Sequence, residues 1–258
     1  MTLPSGAAAA RPSTHGSLAY AVATSQHEKE KAVGEMVEYP SSGHVCRGYE
    51  VRPKGGQGHG VVVIQEWWGL APHIKNVCDR FAAEGFVALA PDLYHGKVTT
   101  EPDEAQKEMM NLDIESAGRD IGGAVSHLGD ASFVTGSRVG VVGFCMGGGL
   151  ALYAASQDPE IAACITYYGV GPARNGIDLS HMKAAVLGHW GEKDHSYDHD
   201  TIADLEKRLS AAGVSVESFW YDADHAFFND DRPEVHDPEA TRLSWDRTLA
   251  FLRHHLTF

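Results

Sequence analysis

The sequence predicts an α/β fold with a mostly parallel central sheet flanked by helices on both faces, and three observations carry that prediction. Runs with the pattern of buried strands alternate with helical stretches along most of the chain. One run, Gly60-Val61-Val62-Val63-Ile64, is continuously β-branched after its glycine, as in a strand covered on both faces. Another ends in a glycine-flanked turn, Gly143-Phe144-Cys145-Met146-Gly147, that leads straight into a helix of small residues.

Taken in order, Met36 to Tyr39 and Val45 to Val51 read as short strands around the turn residues Ser41-Ser42-Gly43, an opening hairpin. The loop Pro53 to Gly58 leads into the strand at Gly60. A helical pattern follows from Pro72 to Glu84, then a strand from Phe86 to Ala90 and one long helical stretch from Glu101 to Leu128. Next come a strand from Arg138 to Val142, a helix from Met146 to Ser156, and strands from Ala162 to Tyr168 and Ala184 to Trp190. A helix from Thr201 to Ala212, a strand from Ser215 to Tyr221 and a helix from Pro238 to His255 complete the series. Parallel neighbours need crossover connections, which put helices on both faces and ligands beyond the carboxyl ends of the strands. The chemistry is therefore expected in the strand-to-helix loops.

Residues 1–34 are rich in Ala, Ser, Thr and Gly and read as an extension preceding a single catalytic domain at residues 35–258. Ala21-Val22-Ala23 resembles a secretory cleavage site, but the basic start and sustained apolar stretch of a signal are missing. No apolar run approaches the roughly 18 residues of a membrane span. A net charge of −14, with Lys and Arg dispersed, argues against nucleic acid and means that an acidic substrate would need cations placed in the pocket. The four cysteines show no CxxC spacing, which fits reduced thiols and a cytoplasmic setting. The expected partner is a small-molecule substrate, with no membrane, no cofactor, no metal at the site, and a monomer or homodimer as the assembly.

The segment around Cys145 reads strand, sharp turn, helix, with Gly143 and Gly147 small enough to let strand and helix approach. Such an elbow lifts the sulfur to the sheet edge and sets it at a helix N-terminus that favours a thiolate nucleophile. The Met146 N–H is then a natural oxyanion donor. Cys46, Cys78 and Cys164 lack this context and read as small buried hydrophobes. In this architecture an acid and then a histidine follow the nucleophile on later strands. Asp194, after the strand ending at Trp190, and His225, after the strand ending at Tyr221, meet that order, with His225 as base. In the stretch Asp194 to Asp200, His195 and His199 at i, i+4 allow a metal reading. A polar loop capping the following helix explains the same residues.

Glu66 follows the first buried strand at the level expected for Cys145, where an acid is costly unless paired or used. It either accepts the thiol proton, or faces solvent or interacts with the next helix. Trp67 and Trp68 either wall the pocket, with the Trp67 N–H as second oxyanion donor, or belong to the core.

Together, Gln65-Glu66-Trp67-Trp68-Gly69, Pro91-Asp92-Leu93-Tyr94, Gly143-Phe144-Cys145-Met146-Gly147-Gly148, Tyr167-Tyr168-Gly169, Asp194-His195 and Ala223-Asp224-His225 resemble the dienelactone hydrolases (carboxymethylenebutenolidases), from about Met36 onward. The resemblance implies an α/β-hydrolase fold and a Cys145–His225–Asp194 triad assisted by Glu66, which in that family takes the thiol proton. It implies hydrolysis of a lactone or ester through a thioester, with Met146 and Trp67 N–H groups on the oxyanion. Trp68, Tyr94, His95, Tyr168, Phe227 and Asn229, in or beside these motifs, are the expected substrate-binding residues. The chain departs from the family where two pocket arginines grip a substrate carboxylate. Gly96 stands in the region of one and Asn229 at the other, which leaves a neutral ester or lactone open and removes the usual resting partner of Glu66. A general carboxylesterase or thioesterase, and a lactone sensor without turnover, are the competing functions.

Overall fold

The turn Ser42-Gly43, with φ of 39° and 92°, folds β1 (Glu35–Ser41) back on β2 (His44–Val51) as an antiparallel hairpin. The protein is described by a computed structural model covering residues 34–257, so the extension read at residues 1–34 lies, apart from Gly34, outside the described residues. After the hairpin come β3 (Gly60–Ile64), α1 (Pro72–Ala83), β4 (Val87–Pro91), α2 (Pro102–Asn111), α3 (Ile114–Asp130), β5 (Val139–Phe144) and α4 (Met146–Gln157). The series ends with β6 (Ile161–Tyr167), a short 3-10 turn at Gly171–Asn175, β7 (Ala185–Gly191), α5 (His199–Ala211), β8 (Val216–Tyr221) and α6 (Pro238–Leu256).

The single helical stretch expected from Glu101 to Leu128 is two helices. Leu112 and Asp113 leave the helical backbone, with ψ of 119° and 113°, and the Asp113 carboxylate accepts the Ser116 N–H at 2.6 Å to cap α3. A short acidic side chain that bonds the backbone two or three residues on competes with helix continuation, and on a polar surface stretch no packing overrides it.

Among the described residues eight strands form one sheet in the order β1-β2-β4-β3-β5-β6-β7-β8. β2 runs antiparallel to β1 and β4, and the other neighbours are parallel. Every residue of β3, β5 and β6 is buried, as strands covered on both faces should be. β5 shows the two layers directly. A Cβ at Gly140 would sit 2.5 Å from Leu252 of α6, and one at Gly143 would strike the Gly147 backbone of α4. An odd spacing along a strand puts those two positions on opposite faces. α1 and α6 meet through Phe81 and Trp245, whose rings are 4.5 Å apart.

The parallel register levels one edge of the sheet. Ile64 pairs with Gly143, Phe144 with Tyr167, Tyr167 with His189, and Gly191 with Tyr221. The residues just beyond these strand ends, Glu66, Cys145, Tyr168, Asp194 and His225, are thereby gathered along that edge.

Candidate active site

Cys145 occupies the junction of β5 and α4 with φ 55° and ψ −117°, a backbone conformation that costs an L-residue on the order of 1–3 kcal/mol. Its surroundings hold it there. The Cys145 N–H donates to the Tyr167 carbonyl at 3.0 Å, and its own carbonyl accepts the Gly148 N–H at 3.0 Å. The elbow also needs α4 to lie against the end of β3. A Cβ at Gly147 would sit 2.5 Å from the backbone carbonyl oxygens of Ile64 and Gln65. These are backbone atoms that cannot rotate away, so Gly147→Ala is expected to cost about 1–3 kcal/mol or more and to displace the elbow. Urea denaturation and ester turnover check this, and an unchanged midpoint with unchanged turnover would show that the close approach is not required.

His225 Nε2 lies 3.1 Å from Cys145 Sγ, and His225 Nδ1 lies 2.6 Å from Asp194 Oδ2. The other carboxylate oxygen, Oδ1, accepts the Ser196 N–H at 2.8 Å and the Ser196 hydroxyl at 2.6 Å. Asp194 is buried, whereas Cys145 and His225 keep partial exposure, so the carboxylate is shielded while the sulfur and imidazole are reachable. Burial alone would raise the Asp194 carboxyl, but the bonds from His225 and Ser196 outweigh it and hold the group below its ordinary value. Burial works against charge on His225 too. The hydrogen bond to Asp194 and the adjoining Cys145 reverse that and push the imidazole up to about 10.

The carboxylate of Glu66, 3% exposed, is tied to neutral groups. Asn229 Nδ2 donates to Oε2 at 2.6 Å and the Tyr168 hydroxyl donates to Oε1 at 3.4 Å, so its hydrogen bonds run to these two residues and not to Cys145. Asn229 thus supplies the resting partner that the missing arginine left open. Asn229→Ala removes the shorter bond from a buried carboxylate and is expected to cost about 1–3 kcal/mol. A shift of the urea midpoint at constant m-value checks it, and a midpoint equal to wild type would place the carboxylate in water instead.

The expected substrate-binding residues separate on inspection. Trp68 and Asn229 line a cavity of about 340 Å³ together with His73, Thr99 and Arg232. The Tyr94 hydroxyl reaches Met146 Sδ at 3.3 Å, next to the elbow. Tyr168, at φ 42°, places its ring 5.1 Å from that of His225. Phe227 and His95 are placed differently. Phe227 is fully buried among Tyr167, Tyr168 and Tyr221, because the turn after His225 folds its aromatic side chain under the wall rather than onto its surface. His95 is exposed at φ 52° in the turn after Tyr94 and borders a surface hollow with Leu112, Asp113 and Ser116, on the α3 side.

Met146 opens α4, where first-turn N–H groups have no partner within the helix, and Trp67 follows Glu66 in the turn after β3. The packing of Gly147 on Ile64 and Gln65 brings those two backbone segments together. Trp67 and Trp68 are half-buried with rings 5.0 Å apart at 66°, which fits a pocket wall better than a closed core.

Sequence reasoning did not single out Ser196. Its signal is the spacing Asp-x-Ser, in which an Asp side chain bonds the backbone N–H two residues on. In the stretch Asp194 to Asp200, His199 bonds Glu192 at 2.8 Å and stacks on Trp220, while Asp198 caps α5 through the Thr201 N–H at 2.8 Å. No helix among the described residues is long and apolar enough to cross a membrane.

Residues 46–256 match the sequence profile of the Dienelactone hydrolase family. The chain is 39% identical to "Protein usf" of Aquifex pyrophilus, across 87% of this chain and 100% of that one. It is 33% identical to the carboxymethylenebutenolidase of a Pseudomonas species, across 78% of this chain and 87% of that one. The crystal structure of a putative dienelactone hydrolase from Klebsiella pneumoniae superposes with a TM-score of 0.77 at 30% identity, over 86% of this chain and 98% of that one.

Proposed function

Because the chain belongs to the dienelactone hydrolase family, with its α/β-hydrolase fold and its hydrolytic action on carboxylic ester bonds, we propose that it opens a small neutral ester or lactone through a thioester on Cys145. The observation that carries this reading is the continuous line from Cys145 Sγ through His225 to Asp194, at 3.1 and 2.6 Å.

In this mechanism His225 carries the proton that Cys145 gives up, consistent with an imidazole pushed up to about 10. Sγ attacks the carbonyl carbon, and the carbonyl oxygen becomes an oxyanion facing the N–H groups of Met146 and Trp67. Collapse breaks the ester C–O bond, and the departing oxygen takes the proton from His225 Nε2. A water then attacks the thioester while Nε2 accepts one of its protons; collapse of the second oxyanion breaks the C–S bond, releases the carboxylic acid, which gives its proton to solvent, and returns the thiolate beside protonated His225. Asp194 fixes the ring so that Nδ1–H points at Oδ2 and Nε2 at the sulfur. With Sγ already beside His225, this reading gives the thiol proton to His225 and leaves Glu66 to position Tyr168 and Asn229. The transfer to Glu66 implied by the family would first require its carboxylate to leave both partners.

This reading takes a neutral substrate from the charges around the Trp68–Asn229 cavity. Arg232 is the cation on the cavity, but its guanidinium already forks onto Glu234 at 2.9 and 2.8 Å and lies 5.5 Å from the Trp68 ring. With Glu66 behind Asn229, a free carboxylate meets little uncompensated positive charge there. A general carboxylesterase shares this reading and differs only in leaving group.

The test is to mix enzyme with p-nitrophenyl acetate, quench in acid and map the acetyl group by peptide mass. Acetylation of Cys145, together with a higher kcat/KM for the neutral ester than for dienelactone, is the expected result. Turnover with the acetyl on another residue would overturn the nucleophile, and a preference for dienelactone would overturn the substrate class.

A further inference from the structure

We propose that His44, Cys46 and Asp120 form a second site, which binds one zinc-class divalent ion where β2 meets α3, outside the reacting centre. The site lies on β2, separated from β5 in the sheet by β4 and β3. It offers one nitrogen, one sulfur and one carboxylate oxygen, all within 4.8 Å of one another. That mixed set suits a borderline-soft divalent ion rather than the all-oxygen shells of magnesium or calcium.

The geometry comes from rigid elements. His44 and Cys46 are two apart on a strand, so both side chains leave the same face of β2 and act as a chelating pair. Cys46 Sγ is 3.3 Å from His44 Nε2, and that nitrogen is 2.9 Å from Asp120 Oδ1. Ligand atoms around a tetrahedral zinc ion, at bonds of about 2.0–2.3 Å, stand about 3.3–3.7 Å apart. The sulfur and nitrogen are therefore at the right spacing already, and the His44–Asp120 contact has to open by roughly half an ångström. Asp120 is itself oriented from outside the trio: the Ser41 hydroxyl donates to Oδ1 at 3.0 Å and the Tyr39 hydroxyl donates to the Asp120 carbonyl at 3.4 Å. Outer hydrogen bonds of this kind fix a ligating carboxylate in place.

Cys46 and Asp120 are buried while the His44 side chain is 44% exposed, so the site has a closed floor and an open side for a water as fourth ligand. On binding, the S–H bond of Cys46 breaks, the S–metal bond forms, and one proton leaves to solvent with no change in oxidation state.

Cobalt(II) is the probe, because it occupies zinc sites and reports a thiolate ligand by a sulfur-to-metal charge-transfer band in the near ultraviolet. The chain carries 15 histidines, and cobalt held by those alone gives no such band. Full-length wild type is expected to bind one equivalent with the band present, and an equivalent of zinc should bleach it. Cys46→Ser should lose the band, Asp120→Asn should weaken cobalt binding about 10-fold or more, and Cys145→Ser should retain the band at full intensity. A wild type without a saturable band, or a band that persists in Cys46→Ser or vanishes in Cys145→Ser, overturns the site. Should Cys46→Ser fail to fold, the Asp120→Asn and Cys145→Ser pair decides it alone: affinity lost in the first and kept in the second supports the site, and the reverse rejects it.

Discussion

Replacing Cys145 with alanine is expected to lower kcat/KM for ester hydrolysis by about 10⁴-fold or more while leaving the fold in place. The two halves of this prediction have separate causes. Chemistry is lost because alanine removes the sulfur that stands 3.1 Å from His225 Nε2 at the head of α4. Stability is retained because Cys145 is only half-buried, because alanine meets the same backbone penalty at φ 55°, and because the elbow is held by backbone hydrogen bonds to Tyr167 and Gly148. The change should stay within about 1 kcal/mol. Steady-state turnover and urea denaturation measure the two quantities. Wild-type turnover by a folded Cys145→Ala protein would remove Cys145 from the mechanism. A chain that only senses a lactone would instead show ligand-dependent thermal stabilisation, equal in wild type and variant, with no turnover in either.

Asp194→Asn should reduce kcat by about 10²–10⁴-fold. The size of the effect follows from Ser196. Its N–H and hydroxyl both donate to Oδ1 of Asp194, so an amide placed there turns its single acceptor oxygen towards Ser196. Its NH₂ group then faces His225 Nδ1 and holds the imidazole in the tautomer that carries its proton on Nε2, which cannot accept one from water. The same variant removes the strongest of the contacts that raise His225, so the imidazole should titrate well below the value of about 10 in wild type. Folded His225 lies above its ordinary 6.5, so the stability it contributes is complete below that pH and is lost as pH rises through about 10. The wild-type urea midpoint should fall across that window and the Asp194→Asn midpoint should fall less. Ring-proton NMR of His225 gives the titration directly, and an unshifted titration would mean that Asp194 does not govern its charge.

The parts of this structure legible in the sequence are those written in short-range pattern. β3 falls on Gly60 to Ile64, as its β-branched run predicts, and the elbow announces itself through two glycines that no other residue could replace. Asp194 and His225 were reachable from chain order, since the crossover rule lines up consecutive parallel strands. What stayed hidden depends on contacts between distant segments. The break before Asp113 comes from one side-chain bond to Ser116 and leaves hydrophobic periodicity almost intact. Phe227 and Asn229 are two residues apart, yet one is buried among aromatic rings and the other holds Glu66, a distinction made by the fold of the turn after β8. Cys46 reads alone as a small buried hydrophobe, and it is buried. Its neighbours become visible only when the opening hairpin docks on α3 and brings Asp120 beside it.

The order of the reacting groups along the chain has a consequence during synthesis. Under the proposed mechanism Cys145 precedes its base, His225, by 80 residues, and Tyr221, four residues before that histidine, ends β8, the last strand added at the sheet's edge. At ribosomal rates of about 5–20 residues per second, the nucleophile is made on the order of 4–16 s before its base. Until His225 is made, the thiol lacks the imidazole that stands 3.1 Å from it in the folded protein, although Asp194 is already in the chain, 31 residues earlier. In that mechanism reactivity is switched on by completion of the sheet.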